Sequence, residues 1–450
     1  MVAGKRIGAI AGGMIGCCLI PCGVAQGTQL TNEDYARAER FMPYNVNPLV
    51  LHSVGQINWM EDGRFWYLDV GADGATYLLV DPIKRIKAPA FDHVKLATAL
   101  NAALKASAAR NSAAKAESNP ESHPTVDAHR LHLTELAFAD NDHTVTFIKD
   151  GRRFRCDLSG AGSCAEITAH SESAPDHGDG PTDISPDNTK AVFIRSYNLW
   201  VRDLATGKET QLTTDGVKDY GYATDNAGWQ HSDKPIVLWS PDSRKIATFQ
   251  QDQRKVGEMY LVPVTNRHPA LEAWKYPLVG DKNVTMIERV ILDIPTAKVT
   301  RLKMPPDQHR STVCDDVSCN GKGWDDVEWA PDGRTLAFVS TSRDHRQEWF
   351  RVADAATGEV REIYTESAPR FFQAGSAARE DGRVNWRYLP QSNEFLWYSE
   401  RDNWGQIYLY DLTTGKLKNQ ITNGEGDVTQ LLRVDEKARI LYFLAVGKQP

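Results

Sequence analysis

The sequence has no excess of basic residues: its 450 positions hold 52 Lys and Arg against 59 Asp and Glu, a formal net charge of −7. A surface that tracks a phosphate backbone needs clustered cations, so nucleic acid is not an expected partner. Cysteine is scarce, with 7 in the chain, and Cys17, Cys18 and Cys22 fall in a segment that reads as a leader. That leaves Cys156, Cys164, Cys314 and Cys319. Their closeness pairs Cys156 with Cys164 and Cys314 with Cys319, as two small loop-closing disulfides suited to an oxidising compartment. A four-cysteine zinc site is the rival reading, but zinc ligands commonly stand roughly two to four residues apart, a spacing that only the second pair approaches. No cofactor or metal is called for by any other pattern.

Long apolar runs are missing except at the start. Lys5 and Arg6 precede an uncharged stretch from Ile7 to Ala25, ending in the small residues Gly23-Val24-Ala25. Charge, then an apolar run, then small residues is the layout of a secretory signal. Its glycines and Pro21 make a poor membrane-spanning helix. Cleavage after Ala25 and a secreted or periplasmic protein are expected, with no membrane span. The alternative is lipoprotein anchoring at Cys17, on the loose match of Met14-Ile15-Gly16-Cys17 to a bacterial lipoprotein site. Residues 26–450 then form the folded part.

What the sequence does contain is a repeat. Trp239-Ser-Pro-Asp-Ser-Arg-Lys-Ile-Ala-Thr-Phe recurs as Trp329-Ala-Pro-Asp-Gly-Arg-Thr-Leu-Ala-Phe-Val, with looser copies from Ser185 and Leu389. Proline presets φ and a small residue allows the bend, so each copy reads as a hairpin between apolar strands. A second turn follows in Asp203-Leu-Ala-Thr-Gly-Lys208, Asp354-Ala-Ala-Thr-Gly-Glu359 and Asp411-Leu-Thr-Thr-Gly-Lys416, giving four strands per unit. The turn prolines Pro186 and Pro241 lie 55 positions apart, Pro331 and Pro390 lie 59 apart, and the 90 between Pro241 and Pro331 imply an insertion. Such spacing predicts an all-β propeller of four-stranded blades. Weaker starts at Met60, Asp140 and Asp435 bring the count to about six blades plus an incomplete seventh. One stretch departs from this: Leu96, Leu100 and Leu104 recur at helical spacing within residues 91–111 and predict a helix packed on a blade rim. Unpaired strands in the last blade would invite self-association.

The segment from Ala191 to Val262 resembles blades of the N-terminal propeller of the dipeptidyl peptidase IV family. It carries an Asn-Leu-Trp-Val-Arg strand, a stretch rich in Asp and Tyr, and Leu-Trp-Ser-Pro-Asp-Ser-Arg-Lys-Ile-Ala; weaker likeness extends from about Asn32 onward. The resemblance implies an eight-bladed propeller capping a C-terminal α/β-hydrolase domain that holds the serine peptidase triad. No Gly-x-Ser-x-Gly pentapeptide occurs, and that signature marks the nucleophile of such hydrolases. Ala161-Gly162-Ser163-Cys164-Ala165 lacks its glycine spacing. No catalytic residue is therefore assigned, the hydrolase domain is expected to be absent from this chain, and the chain alone should not cleave peptides. Family members grip the substrate's free amino terminus with paired glutamates; the matching stretch here, Tyr220 to Trp229, has only Asp225. Arg152 or Arg153 matches a substrate-holding arginine. The expected role is substrate gating and recognition for an exported exopeptidase, with peptides or a hydrolase polypeptide as partner. The competing role is an envelope binding scaffold, since fold alone does not assign function.

Overall fold

The computed structural model describes residues 30–52, 54, 56–114, 125–140, 142–167, 181–224, 234–262, 268, 271–308, 327–369 and 386–447. They belong to two compact units, Met1–Ile167 and Thr168–Pro450. The fold is all-β. Its sheets are antiparallel meanders, mostly of four strands, and these are the blades of a β-propeller.

Among the described residues, the first unit contains two blades. One runs Asn58–Trp59, Phe65–Gly71, Gly74–Asp81 and Ile86–Pro89; the other runs Thr134–Ala139, Thr144–Lys149, Arg152–Asp157 and Ser163–Glu166. The expected starts at Met60 and Asp140 are the turns of their opening hairpins, and Arg64 of the first turn reaches Asp142 of the second at 3.0 Å. The predicted helix spans His93–Ala114. Asp92 caps it by accepting the Lys95 N–H at 2.9 Å, and Leu96 and Leu100 are fully buried against Phe147, Phe154 and Cys156. At its first turn, His93 Nε2 accepts the Tyr77 backbone N–H at 2.8 Å, which fastens the helix to the Gly74–Asp81 strand.

Among the described residues, the second unit holds four blades and a further hairpin. The third blade in chain order is Asp183–Ile184, Lys190–Arg195, Asn198–Asp203 and Glu209–Gln211; the fifth is Val327–Trp329, Thr335–Thr341, Gln347–Asp354 and Val360–Ser367; the sixth is Arg387–Leu389, Glu394–Ser399, Gln406–Asp411 and Leu417–Gln420. The last hairpin pairs Asp427–Asp435 with Ile440–Val446. The fourth blade explains the long spacing between Pro241 and Pro331. Its central strands Lys245–Asp252 and Met286–Asp293 pair over their full length, yet the chain between them makes a separate hairpin, Glu258–Leu261 with Glu272–Lys275. Strands Tyr220–Tyr222 and Leu238–Trp239 both pair with Lys245–Asp252, and Lys298–Arg301 and Asp307–Gln308 both pair with Met286–Asp293.

Repeated chemistry underlies the repeated geometry. In the opening turns, the Ser185 and Ser240 hydroxyls donate to Asp187 and Asp242, each at 2.6 Å, and accept the Lys190 and Lys245 N–H at 3.0 and 2.9 Å. In the outer turns, Oδ1 of Asp203, Asp354 and Asp411 accepts both the N–H and the hydroxyl of the threonine three residues on. Asp293 and Thr296 make the same cap in the fourth blade. That copy escapes the sequence motif because Ala297, at φ 52°, stands where the others have glycine. The glycines also permit close approach: a Cβ on Gly358 would lie 2.5 Å from the Arg301 carbonyl oxygen, and one on Gly415 would lie 2.1 Å from that of Ile363.

The motif tryptophans tie blade to blade. The Trp239 indole donates to Asp183 Oδ1 at 3.0 Å and the Trp329 indole to the Leu238 carbonyl at 3.1 Å, in each case on the opening strand of the preceding blade. Farther out, Asp307 accepts from the buried Arg289 at 2.8 Å and from Ser340 of the next blade at 2.7 Å.

Trp239→Phe keeps the ring and removes the donor. Burial already raises the Asp183 carboxyl above its ordinary range, and the Trp239 hydrogen bond is the larger of the two effects that oppose it, ahead of the Lys234 charge, so the substitution is expected to cost about 1–3 kcal/mol by chemical denaturation. His93 gives a pH signature. Burial lowers its pKa below 6.5, against the opposing Phe91 carbonyl and Asp92. Its contribution is complete above that pH and is lost as pH falls through the folded-state value. Denaturation at pH values on either side of 6.5 should show wild type losing more stability on acidification than His93→Gln.

Candidate functional site

The described end of the Tyr220 to Trp229 stretch is the strand Tyr220–Tyr222, which pairs with Gln250–Asp252. Alternation places Tyr220, Tyr222 and Gln250 on one face, and the neighbouring strands add Glu288 and Arg301 to it. Arg301 is the hub: one nitrogen donates to Glu288 at 2.9 Å, the other to Asp215 at 2.9 Å, Tyr222 at 3.1 Å and Gln250 at 2.5 Å. The phenols complete the network, Tyr222 donating to Asp215 at 2.7 Å and Tyr220 to Glu288 at 3.1 Å. Arg254, paired with Asp252, lies over the Tyr220 ring at 4.0 Å.

Burial, then the Asp215 hydrogen bond, raises the Tyr222 phenol, and burial, then Glu288, raises that of Tyr220, so both stay protonated donors. Burial works against the Arg301 charge, but the surrounding groups, the carboxylates Glu288 and Asp215 among them, outweigh it and raise its pKa. Two carboxylates around one cation leave this face with surplus negative charge beside aromatic rings. Such a surface suits a ligand that carries positive charge or donates hydrogen bonds. Glu288 and Arg301 come from one hairpin, while Asp215 and Gln250 come from other segments, so no local motif marks the set; only the two tyrosines lie within the stretch singled out from the sequence.

Arg152 and Arg153 both lie on the strand Arg152–Asp157 in the first unit. Arg152 is engaged: its Nε donates to Glu166 at 2.8 Å and its Nη2 to Ser107 at 2.7 Å. Arg153 pairs with Glu135, and both side chains are well exposed. On the same strand Cys156 forms a disulfide with Cys164, its register partner on the next strand. Asp225, Cys314 and Cys319 lie outside the described residues, as does the leader segment. Among the described residues, no cluster of His, Cys, Asp and Glu is placed to hold a metal ion, and no helix is long and apolar enough to cross a membrane.

The family model for the dipeptidyl peptidase IV (DPP IV) N-terminal region matches residues 139–450. The chain belongs to this family. Among DPP IV relatives, dipeptidyl peptidase 4 of Trichophyton rubrum is 23% identical over 275 residues, covering 58% of this chain and 32% of that protein. Dipeptidyl peptidase 4 of Arthroderma otae is 22% identical over 276 residues, with the same shares of 58% and 32%. The chain thus spans about a third of the length of the curated DPP IV relatives it matches. The crystal structure of Porphyromonas gingivalis dipeptidyl peptidase 4 aligns at 16% identity with a TM-score of 0.49, over 94% of this chain and 53% of that one.

The disulfide closes a short loop in this DPP IV-type propeller, between residues 8 apart. Loop-closure entropy gives it about 2.5 kcal/mol, so the double variant Cys156→Ser, Cys164→Ser should unfold at lower denaturant by that amount. Dithiothreitol should lower the wild-type midpoint by more than that of the variant, which retains Cys314 and Cys319.

Proposed function

We propose that the chain is the substrate-recognition and gating propeller of an exported, dipeptidyl peptidase IV-like serine exopeptidase, whose hydrolase domain is supplied by a further stretch of polypeptide. The observation that carries this reading is the family match across residues 139–450. Support for export comes from the leader pattern of residues 1–25 and from the Cys156–Cys164 disulfide, a bond that persists in oxidising compartments. In this role Asp225 faces the peptide's ammonium group, since a cation entering a partly desolvated site needs a fixed carboxylate. It directly follows the segment that ends in Tyr222, Ala223 and Thr224, all of them buried. Arg153 is the better placed of the two arginines to meet a peptide carbonyl or carboxylate. Its exposed pair with Glu135 is worth little, whereas Arg152 would have to leave a partly buried network.

The test compares binding of a short peptide with a free amino terminus against its N-acetylated form, by calorimetry. The free form should bind at least about tenfold more tightly, a difference of about 1.4 kcal/mol, and Asp225→Asn should erase that preference. The chain alone should release no dipeptide from either. Equal binding of both forms would favour the scaffold role instead.

A further inference from the structure

The inner seam between the fifth and sixth blades is built differently from the two before it. The residue that precedes each motif aromatic faces the following blade: Asp183 and Leu238 accept indole N–H groups there, from Trp239 and Trp329. Glu328 holds this position in the fifth blade, but Tyr388 stands where the sixth would carry its tryptophan. The Tyr388 phenol meets the Thr335 hydroxyl at 2.9 Å. The place of the indole N–H is taken by the Tyr388 backbone N–H, which donates to Glu328 Oε2 at 2.6 Å.

The carboxylate in this seam is sparsely supported. Among the described residues, Arg387 of the sixth blade is the charged group that faces it, and its Nε stays 3.8 Å from Glu328 Oε1. The same guanidinium is engaged elsewhere, donating to the carbonyls of Trp386 at 2.6 Å and Leu431 at 2.9 Å. The Tyr388 phenol brings no charge, since burial raises its pKa. The Trp386 indole N–H, buried in the apolar cluster of the same seam, has no hydrogen-bond acceptor. Burial outweighs Arg387 and the Tyr388 N–H and pushes the Glu328 carboxyl above its ordinary value of 4.5, because a buried charge with one hydrogen bond is held at greater cost than the neutral acid.

We infer that the inner seam between the fifth and sixth blades is a pH-sensitive joint, tightly closed in weak acid and opening more readily as Glu328 takes up its charge. Linkage fixes the direction. The closed seam binds the proton more tightly than an opened, hydrated one, so the seam is firmest below 4.5 and weakens as pH rises through the folded-state value. The seam between the fourth and fifth blades is the internal reference, since the Leu238 carbonyl does not titrate. The inference does not depend on the peptidase reading.

The experiment measures amide exchange of the full chain from about pH 5 to about pH 8, corrected for the intrinsic rate at each pH. Protection of the Tyr388 amide should fall by about fivefold or more over that range, while the amides of Lys245–Asp252 keep theirs. Glu328→Gln, whose carboxamide oxygen still accepts the Tyr388 N–H, should hold that amide at one level throughout. Arg387→Gln removes the facing cation and should move the fall to higher pH. A fall of the same size in Glu328→Gln, pH-independent protection of the wild-type amide, or an Arg387→Gln profile that does not move each overturns the inference; the last two stand as tests even if Glu328→Gln does not fold.

Discussion

The propeller depends on how one blade holds the next, because a twisted four-stranded sheet buries neither of its faces alone. In the second unit the inner contacts include an indole N–H, from Trp239 to Asp183 and from Trp329 to the Leu238 carbonyl. Tryptophan serves both demands of this position. Its ring fills the apolar space between sheets while its one donor reaches the preceding strand. The outer contacts differ in kind. Asp307 gathers Arg289, Ser340 and Arg351, and a half-buried carboxylate with cations and a hydroxyl around it resists sliding between sheets as well as separation.

The cluster around Arg301 uses the same materials on a face that is only half covered. An arginine that binds two carboxylates, a phenol and an amide fixes the positions of four segments at once. A partner approaching that face meets groups whose geometry is already set, which reduces the ordering cost of binding. The strand Tyr220–Tyr222 is short, and its attachment to Arg301 and Gln250 holds the entry to the stretch that follows it.

Much of the architecture was legible because blades are local. A Pro-Asp-Ser/Gly turn and an Asp-x-x-Thr-Gly turn each use residues within six positions of one another, so their physics is written in consecutive letters. The helix with Leu96 and Leu100 was equally plain. The fourth outer turn was not, since Ala297 adopts a backbone conformation that sequence assigns to glycine. The inserted hairpin Glu258–Leu261 with Glu272–Lys275 showed itself only as excess spacing. The site was less legible still: Glu288 and Arg301 face each other across one hairpin, but Asp215 reaches Arg301 from the loop after the third blade, and no spacing rule reports that.

The fourth blade has a wider consequence. Its two central strands remain in unbroken register from Lys245 to Asp252 and from Met286 to Asp293, although a separate hairpin is threaded between them. A connection that can lengthen this far without disturbing the sheet is free to vary while the scaffold stays constant. Each blade therefore works as a socket, in which the strands carry the burden of folding and the loops are open to new contents.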